Sequence, residues 1–393
     1  MLKNKYLWIF VLIIALISSS VFASVFVQDF AALERISPFS AKDLWLMKQA
    51  RTIIETYQVD AGENEITEDR IIHGAIRGMV AAWEDPYTRF VNQNQLRNEQ
   101  ISLEGQYGGL GMYIGERNGR VLVISPIEDT PADRAGIKPR DQIVRVNEEM
   151  VIGLDSQEIV NRLRGTPGTA VTVWMRRENE DDLLKFDLIR EIITIQAVRK
   201  EMLSDNIGYL RMNQFNKRAD IEAEEAIKEL INQGAERLIL DLRNNGGGLI
   251  NVAVNISSFF LNDGKIVETR GRFERANEVY HANPTGFKTE IPLVVLINEG
   301  SASASEIVAG SLMDRGRAIT VGKNSFGKAS VQTLFNLTDG SAIFVTIARY
   351  YTPSGQAIDR VGLTPTIEID GSMERDRSED MQLQRAIEEI SKI

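Results

Sequence analysis

The chain has 393 residues, more than one ordinary domain holds, so two or three folded units are expected. Its 43% apolar and 25% charged composition is that of a globular protein, and a formal charge of −10 argues against a nucleic-acid partner. The absence of cysteine excludes disulfides, thiolate zinc sites, Cys nucleophiles and a lipid-modified Cys, and two histidines, His73 and His281, are too few for a His-rich metal site.

Residues 1–24 read as a targeting segment. Lys3 and Lys5 precede the apolar run from Tyr6 to Ile17, and Ser18-Ser19-Ser20 and Val21-Phe22-Ala23 follow, which places a cleavage site after Ala23. An uncleaved anchor is the competing reading, because residues 6–27 are about long enough to cross a bilayer, and a buried core helix is the third. The first two readings predict export, and the second predicts membrane attachment through residues 6–27.

Residues 28–100 read as helical. Phe39-Ser40-Ala41-Lys42-Asp43 opens one helix and Thr67-Glu68-Asp69 a second, each with a hydroxyl ahead of acidic residues. The second carries Ile71, Ile72, Ala75, Ile76, Met79 and Val80 at helical spacing and stops near Asp85-Pro86. His73 lies on it, where a structural role is expected. If the protein forms a homodimer, this helical region is the expected contact.

From Gly105 the period becomes strand-like, and residues 105–178 are expected to form one unit. It holds Gly108-Gly109-Leu110-Gly111-Met112, a strand at 120–124, Thr130-Pro131-Ala132-Asp133-Arg134-Ala135-Gly136, a strand near Asp141–Asn147, a helix at 156–164 and a strand at 170–176. Residues 186–370 form the next unit, and from 206 strands and helices alternate, which indicates an α/β core with a layered sheet. Residues 371–393 are a charged tail ending in a short amphipathic helix.

Three segments carry chemistry. Asn298-Glu299-Gly300-Ser301-Ala302-Ser303-Ala304-Ser305-Glu306 joins a buried strand to a helix, where free N–H groups and the helix dipole favour a developing oxyanion. Such small-residue runs also cap and pack helices. A serine needs a base, and His281, in a polar loop flanked by Pro and Gly, makes a His triad improbable. Lysine remains. Lys328, in Ser325-Phe326-Gly327-Lys328-Ala329-Ser330-Val331-Gln332, sits at a turn into an apolar strand, where desolvation lowers its pKa. Lys323, between Gly322 and Asn324, is the rival, and either one reads equally as a surface lysine. Asp241-Leu242-Arg243-Asn244-Asn245-Gly246-Gly247-Gly248 ends a strand in glycines that expose backbone N–H groups. A phosphate loop is the alternative there, although it lacks the Gly-Lys-Ser/Thr ending.

Together these segments resemble the carboxy-terminal processing, or tail-specific, serine proteases. The resemblance runs through Asp85-Pro86-Tyr87-Thr88, the 105–178 unit as a PDZ domain, the glycine and serine segments, Phe326 to Gln332 and Tyr350-Tyr351-Thr352-Pro353-Ser354-Gly355. It implies a layered ClpP/crotonase-like α/β protease core with an inserted PDZ domain and an N-terminal helical region. It further implies Ser303 as nucleophile, Lys328 as general base and Gln332 to orient the lysine. Gly247 and the Ala304 N–H would form the oxyanion hole, with Gly248 close by, and Glu306 and Asp314 match supporting acidic positions. The loop Gly109-Leu110-Gly111-Met112 would take a substrate's C-terminal carboxylate as the peptide adds a strand. No metal or organic cofactor is implied.

The chain departs from the family pattern at Ala329, at Arg140 in Lys138-Pro139-Arg140-Asp141, and at Gly246, where the family commonly has glycine, glycine and proline respectively. None of these removes a reacting atom. The expected activity is endoproteolysis of proteins with free apolar C-termini, in a bacterial periplasm or on the outer face of the cytoplasmic membrane. The rivals are a non-catalytic PDZ peptide-binding or chaperone protein and a docking scaffold on the same fold.

Overall fold

The computed structural model describes residues 40–59, 67–117, 119–371, 373–374 and 376–393, so the expected signal or anchor segment lies outside the described residues. No helix among the described residues is long and apolar enough to cross a membrane. The chain divides into a leading unit ending at Ala75 and a main unit, Ile76–Ile393. In the leading unit Ser40 starts helix α1 (Ala41–Tyr57) with a reciprocal Ser40–Asp43 capping box. Helix α2 (Glu68–Ala81) begins at the expected acidic turn.

The main unit continues with strand β1 (Arg89–Val91) and helix α3 (Gln93–Glu104), which ends at Gly105 in the left-handed conformation that glycine adopts without strain. Next come β2 (Gln106–Gly109), β3 (Met112–Arg117), β4 (Arg120–Pro126), the short turn α4 (Pro131–Arg134), β5 (Gln142–Val146), β6 (Glu149–Met150), α5 (Ser156–Leu163), β7 (Ala170–Arg176) and β8 (Leu184–Ile189). Strands β3-β4-β5-β7-β8 form one sheet, with β6 paired to β5, so β3 and β8 are its edges. Val121, Val123, Ile143, Val146, Val171, Val173 and Met175 face its core, where Ile159 and Leu163 of α5 pack. The expected end of this unit at 178 is too early. Strand β8 pairs antiparallel with β7 from Ala170–Ile189 to Met175–Leu184, so Asn179–Asp182 is a hairpin tip inside the unit. Strand β9 (Glu191–Thr194) then returns to pair with β2, tying the entry and exit of the small unit together.

The larger part runs through β10 (Val198–Met202), β11 (Ile207–Met212), α6 (Ala219–Asn232), β12 (Arg237–Asp241), α7 (Ile250–Ser258), β13 (Lys265–Gly271), β14 (Glu278–His281), β15 (Leu293–Ile297), α8 (Ala304–Asp314), β16 (Ile319–Gly322), β17 (Ser330–Asn336), β18 (Ala342–Tyr351), β19 (Ile367–Glu368) and α9 (Met381–Ile390). A six-stranded sheet, β10-β11-β12-β15-β16-β19, is parallel except at β10. Alternate residues of β15 explain its unbroken apolar run. Leu293, Val295 and Ile297 join the core with α6, α7 and α8, whereas Val294 and Leu296 face Leu383, Ala386 and Ile390 of α9. The sheet is therefore the middle of three layers. A second sheet is built on β18, with β17 on one edge and β1 and then β13 on the other, and β14 outside β13. Strands β13 and β14 were not expected, and His281 ends β14 instead of lying in a loop.

Candidate active site

The parallel strands β12 and β15 are neighbours, so the loops at their carboxyl ends meet, as is usual for sites on such sheets. Those two loops are laced together by side chains. The Asn244 N–H donates to Asn298 Oδ1 (2.8 Å), and Asn298 Nδ2 donates back to Asn244 Oδ1 (3.0 Å). The Ser301 hydroxyl accepts from the Asn298 N–H and donates to the Leu242 carbonyl, both at 2.9 Å. The Ser305 hydroxyl donates to the Asn245 carbonyl (2.9 Å). Ser301 and Ser305 are fully buried and structurally committed, which leaves Ser303 as the half-buried serine of the three.

Ser303 stands immediately ahead of α8 with φ +56, ψ −116, a conformation costly for a non-glycine residue. The neighbouring Ala304 N–H is the first of the helix and has no intrahelical acceptor. Gly247 presses on this corner at φ +97. A Cβ there would stand 2.7 Å from Ser303 Cβ, the Ala304 nitrogen and the Ala302 carbonyl, so a side chain is sterically excluded. The Gly247 N–H itself donates to Asn245 Oδ1 (2.9 Å). Gly248 answers a different need: its backbone lies against Phe215, where a Cβ would come within 2.3 Å of the Phe215 carbonyl oxygen.

Glu306 is the hub. Its fully buried carboxylate accepts from the Ser303 N–H (2.8 Å) and the Lys328 N–H (3.0 Å) on one oxygen, and from the Ser325 hydroxyl (2.6 Å) and the Gly327 N–H (2.7 Å) on the other. Ser303 and Lys328, 25 positions apart in sequence, are thereby anchored on one oxygen atom. The buried Tyr350 hydroxyl lies within reach of the same centre, 2.8 Å from the Lys328 carbonyl, 3.1 Å from the Ser303 carbonyl and 3.3 Å from Glu306.

The Lys328 side chain is half-buried, and burial pushes its pKa below the usual lysine value. Nearby Arg89 adds to that lowering, while Glu99 and Glu306 oppose it. Its Nζ lies 5.1 Å from the centre of the Tyr87 ring. Asp85 holds Tyr87 there by accepting the Tyr87 N–H (3.1 Å) and the Thr88 hydroxyl (2.6 Å), and Thr88 in turn accepts the Thr346 N–H of β18 (3.1 Å). The rival Lys323 lies 3.8 Å from the exposed Asp370. No hydrogen bond joins Ser303 Oγ and Lys328 Nζ in this structure.

Two of the expected residues, Gln332 as the group orienting the lysine and Asp314 as a supporting acid, have other partners. Gln332 donates to Ser330 Oγ (2.8 Å), because a bulge between Val331 and Gln332 sets it opposite Thr346. Asp314 ends α8, ~16 Å along the helix from Ser303, and accepts the Ser354 N–H (2.8 Å). Conversely, Tyr87, Tyr350 and Asn245 belong to the site although no role was expected of them. Their signal was membership of the Asp-Pro-Tyr-Thr, Tyr-Tyr-Thr-Pro and Asn-Asn-Gly segments.

In the small sheet, Leu110 is buried, and the Leu110 and Gly111 N–H groups have no acceptor among the described residues. Their carbonyls are tied down by the Ala132 N–H and by the Ile127 N–H and Thr130 hydroxyl. Beside this loop is a cleft of about 60 Å³ between Met112 and Ile114 of β3 and Val160 and Leu163 of α5. Arg164 also lines it, stacked on Tyr107 at 4.6 Å and donating to Asn98 (2.7 Å).

Sequence comparison supplies the family. Residues 206–369 match the model of peptidase family S41, and residues 108–188 that of a PDZ domain. A carboxy-terminal-processing protease of Bartonella bacilliformis is 39% identical over 77% of this chain and 70% of its own length. This chain belongs to peptidase family S41. The carboxy-terminal processing protease CtpA of Bacillus subtilis is 35% identical over 77% of the chain and 65% of its own length. An S41 protease structure from Bacteroides fragilis shares the fold, with a TM-score of 0.52 at 15% identity, covering 91% of this chain and 99% of that one. The S41 chain described here is thus a serine-type peptidase of the carboxy-terminal processing group, with a PDZ domain whose matched limits agree with the inclusion of β8.

Proposed function

We propose that this S41 peptidase is an exported endopeptidase in which Ser303 attacks the scissile carbonyl and Lys328 is the general base. The observation that carries this reading is the Glu306 carboxylate, which holds the backbone of both residues while burial disfavours the charged lysine. Neutral Lys328 takes the Ser303 proton, the Ala304 N–H receives the oxyanion, and water later resolves the acyl-enzyme. Closing the pair brings Lys328 Nζ, now over the Tyr87 ring, onto Ser303 Oγ. The Gly247 N–H becomes a second oxyanion donor when Asn245 Oδ1 turns away from it.

The PDZ domain selects substrates by a free apolar C-terminus. The Leu110 and Gly111 N–H groups suit a carboxylate, and the Met112–Leu163 cleft suits an apolar last side chain. Attachment or export through residues 6–27 places the enzyme in the periplasm or on the outer face of the cytoplasmic membrane. Exposed Trp45, Leu46, Ile53 and Ile54 on α1 support a homodimer through the helical region.

A second reading, peptide binding without catalysis, draws on the separation of Ser303 Oγ from Lys328 Nζ. A peptide-release assay decides between them. Purified protein should cleave a peptide with a free apolar C-terminus, and Ser303→Ala and Lys328→Ala should each abolish cleavage with unchanged circular dichroism. Cleavage persisting in Ser303→Ala refutes the assignment. Amidating the peptide's C-terminus should slow cleavage strongly, and equal rates would refute PDZ selection.

A further inference from the structure

The outer face of the PDZ sheet carries a groove of about 560 Å³ with five arginines on its lining, in a protein whose overall charge is −10. Register brings them together. Arg117 at the end of β3 is paired with Arg120 at the start of β4, and Leu122, Gln142 and Arg176 follow across β4, β5 and β7. Arg177 is committed to the buried Asp141, at 2.7 and 2.8 Å. Arg117, Arg120, Arg140 and Arg176 are exposed and have no ion pair among the described residues. Glu178 and Glu180 also line the groove, and against four uncommitted arginines they leave it positive.

Arg140 gives the groove a second, independent mark. Ten non-glycine described residues have positive φ, and six of them are Asn or Asp, which tolerate it. Arg140, at φ +73, is one of the four that do not, in a turn where glycine would relieve the strain. Strain kept at an exposed residue points to use of its side chain.

The position supplies the ligand. Strand β3 is an edge strand that begins beside the carboxylate-binding Gly109–Met112 loop and ends at Arg117. A peptide whose C-terminus sits in that loop and which pairs antiparallel with β3 meets Arg117 about five residues upstream of its end. Beyond that point the peptide passes the Arg117–Arg120 turn, which is the end of the groove nearest β3. We propose that the Arg117–Arg120–Arg140–Arg176 groove is an upstream subsite that selects substrates bearing acidic residues about six to nine positions from an apolar C-terminus. Carboxylates at those positions pair with guanidinium groups, and the apolar tail enters the Leu110 cleft. The subsite rests on the PDZ reading of the proposed function and adds the chemistry of the preceding segment.

The test measures binding and cleavage separately. Twelve-residue peptides with one apolar C-terminal tetrapeptide carry Glu, Gln or Lys at positions six to nine from the end. Their affinity for full-length Ser303→Ala protein is measured by fluorescence anisotropy. The Glu peptide should bind about tenfold tighter than the Gln peptide, as expected for two or three half-exposed ion pairs, and the gap should close in high salt. The Arg117→Glu/Arg120→Glu double variant should prefer the Lys peptide, a reversal that misfolding cannot produce. Equal affinities for Glu and Gln peptides, absence of binding by either, or a Glu preference that survives in the double variant would overturn the subsite. So would loss of peptide preference with Arg117/Arg120-dependent capture by phosphatidylglycerol vesicles, which would give the groove to a membrane. Cleavage by the wild-type chain separates the two readings. Preference without cleavage refutes the Ser303/Lys328 chemistry and keeps the subsite, and Ser303-dependent cleavage without preference does the reverse.

Discussion

Glu306→Gln is the sharpest test of the hub. The substitution turns one carboxylate oxygen into an NH2 group without changing the shape of the side chain. In the better amide orientation, the remaining oxygen keeps the Ser303 and Lys328 N–H groups, and the NH2 faces the Gly327 N–H and Ser325. Gly327 has no freedom to turn its backbone donor away, so one buried donor is orphaned at about 1–3 kcal/mol. A domain with roughly 5–15 kcal/mol of stability survives that loss, and the protein should fold with a lowered urea midpoint. Activity should fall further. The two opposed donors push apart the segment that carries Lys328, and a displacement of about 1 Å in a catalytic group costs on the order of 100-fold. The pH profile adds a readout that a purely structural role would not move. Glu306 favours the charged form of Lys328, so removing its charge should shift the acid limb of kcat/KM to lower pH. The assay is peptide release across pH, alongside urea unfolding. A Glu306→Gln enzyme with wild-type kcat/KM and an unmoved limb would refute the reasoning.

Other outcomes follow from the same geometry. Ser303→Ala should keep its stability while losing activity, whereas Ser301→Ala should lose about 1–3 kcal/mol because the Asn298 N–H is left unpaired, measured by urea unfolding. Activity should rise with pH through a midpoint below the usual lysine value, and the limb should persist when His73 and His281 are both replaced. The lowered pKa of Lys328 means that the unfolded chain binds more protons between the folded pKa and about 10.4, so this group's contribution to stability improves as pH rises through that window. Lys328→Met should flatten that dependence in denaturation curves. Asp380→Ala should cost about 3–5 kcal/mol by urea unfolding, because it breaks the fully buried Asp241–Arg243–Asp380 group that docks α9 (Arg243 to Asp380 at 2.8 and 2.9 Å). Arg140→Gly should stabilise the protein by about 1 kcal/mol on thermal unfolding while weakening the acidic-peptide preference.

Much of the fold is written locally. The capping residues Ser40 and Asp43, the apolar run of β15, and the helical spacing of α6 and α8 are decided by neighbours within a turn or two, so the chain order alone shows them. Strands β13 and β14 escaped because their charged and apolar residues do not alternate, whereas β8 carries the alternating Leu184-Lys185-Phe186-Asp187-Leu188 pattern of a strand and was legible but not read. The small-residue corner at Ser303, the glycine run and a lysine before an apolar strand are likewise local signals, and the family resemblance adds their order. Which serine is free is not local: Ser301 and Ser305 are committed only because β12 lies beside β15 and offers the Leu242 and Asn245 carbonyls. Nor is the choice of lysine, which turns on Glu306 accepting the Lys328 N–H and on Tyr87, 241 positions before Lys328, lying against its side chain. The bulge that diverts Gln332, the Asn245 oxygen on the Gly247 N–H, and the donors gathered on Glu306 all depend on strand register and chain crossings. Patterns along a sequence encode which face of an element is buried; hydrogen bonds between distant segments are set when those faces pack, and that packing decided the geometry of this active site.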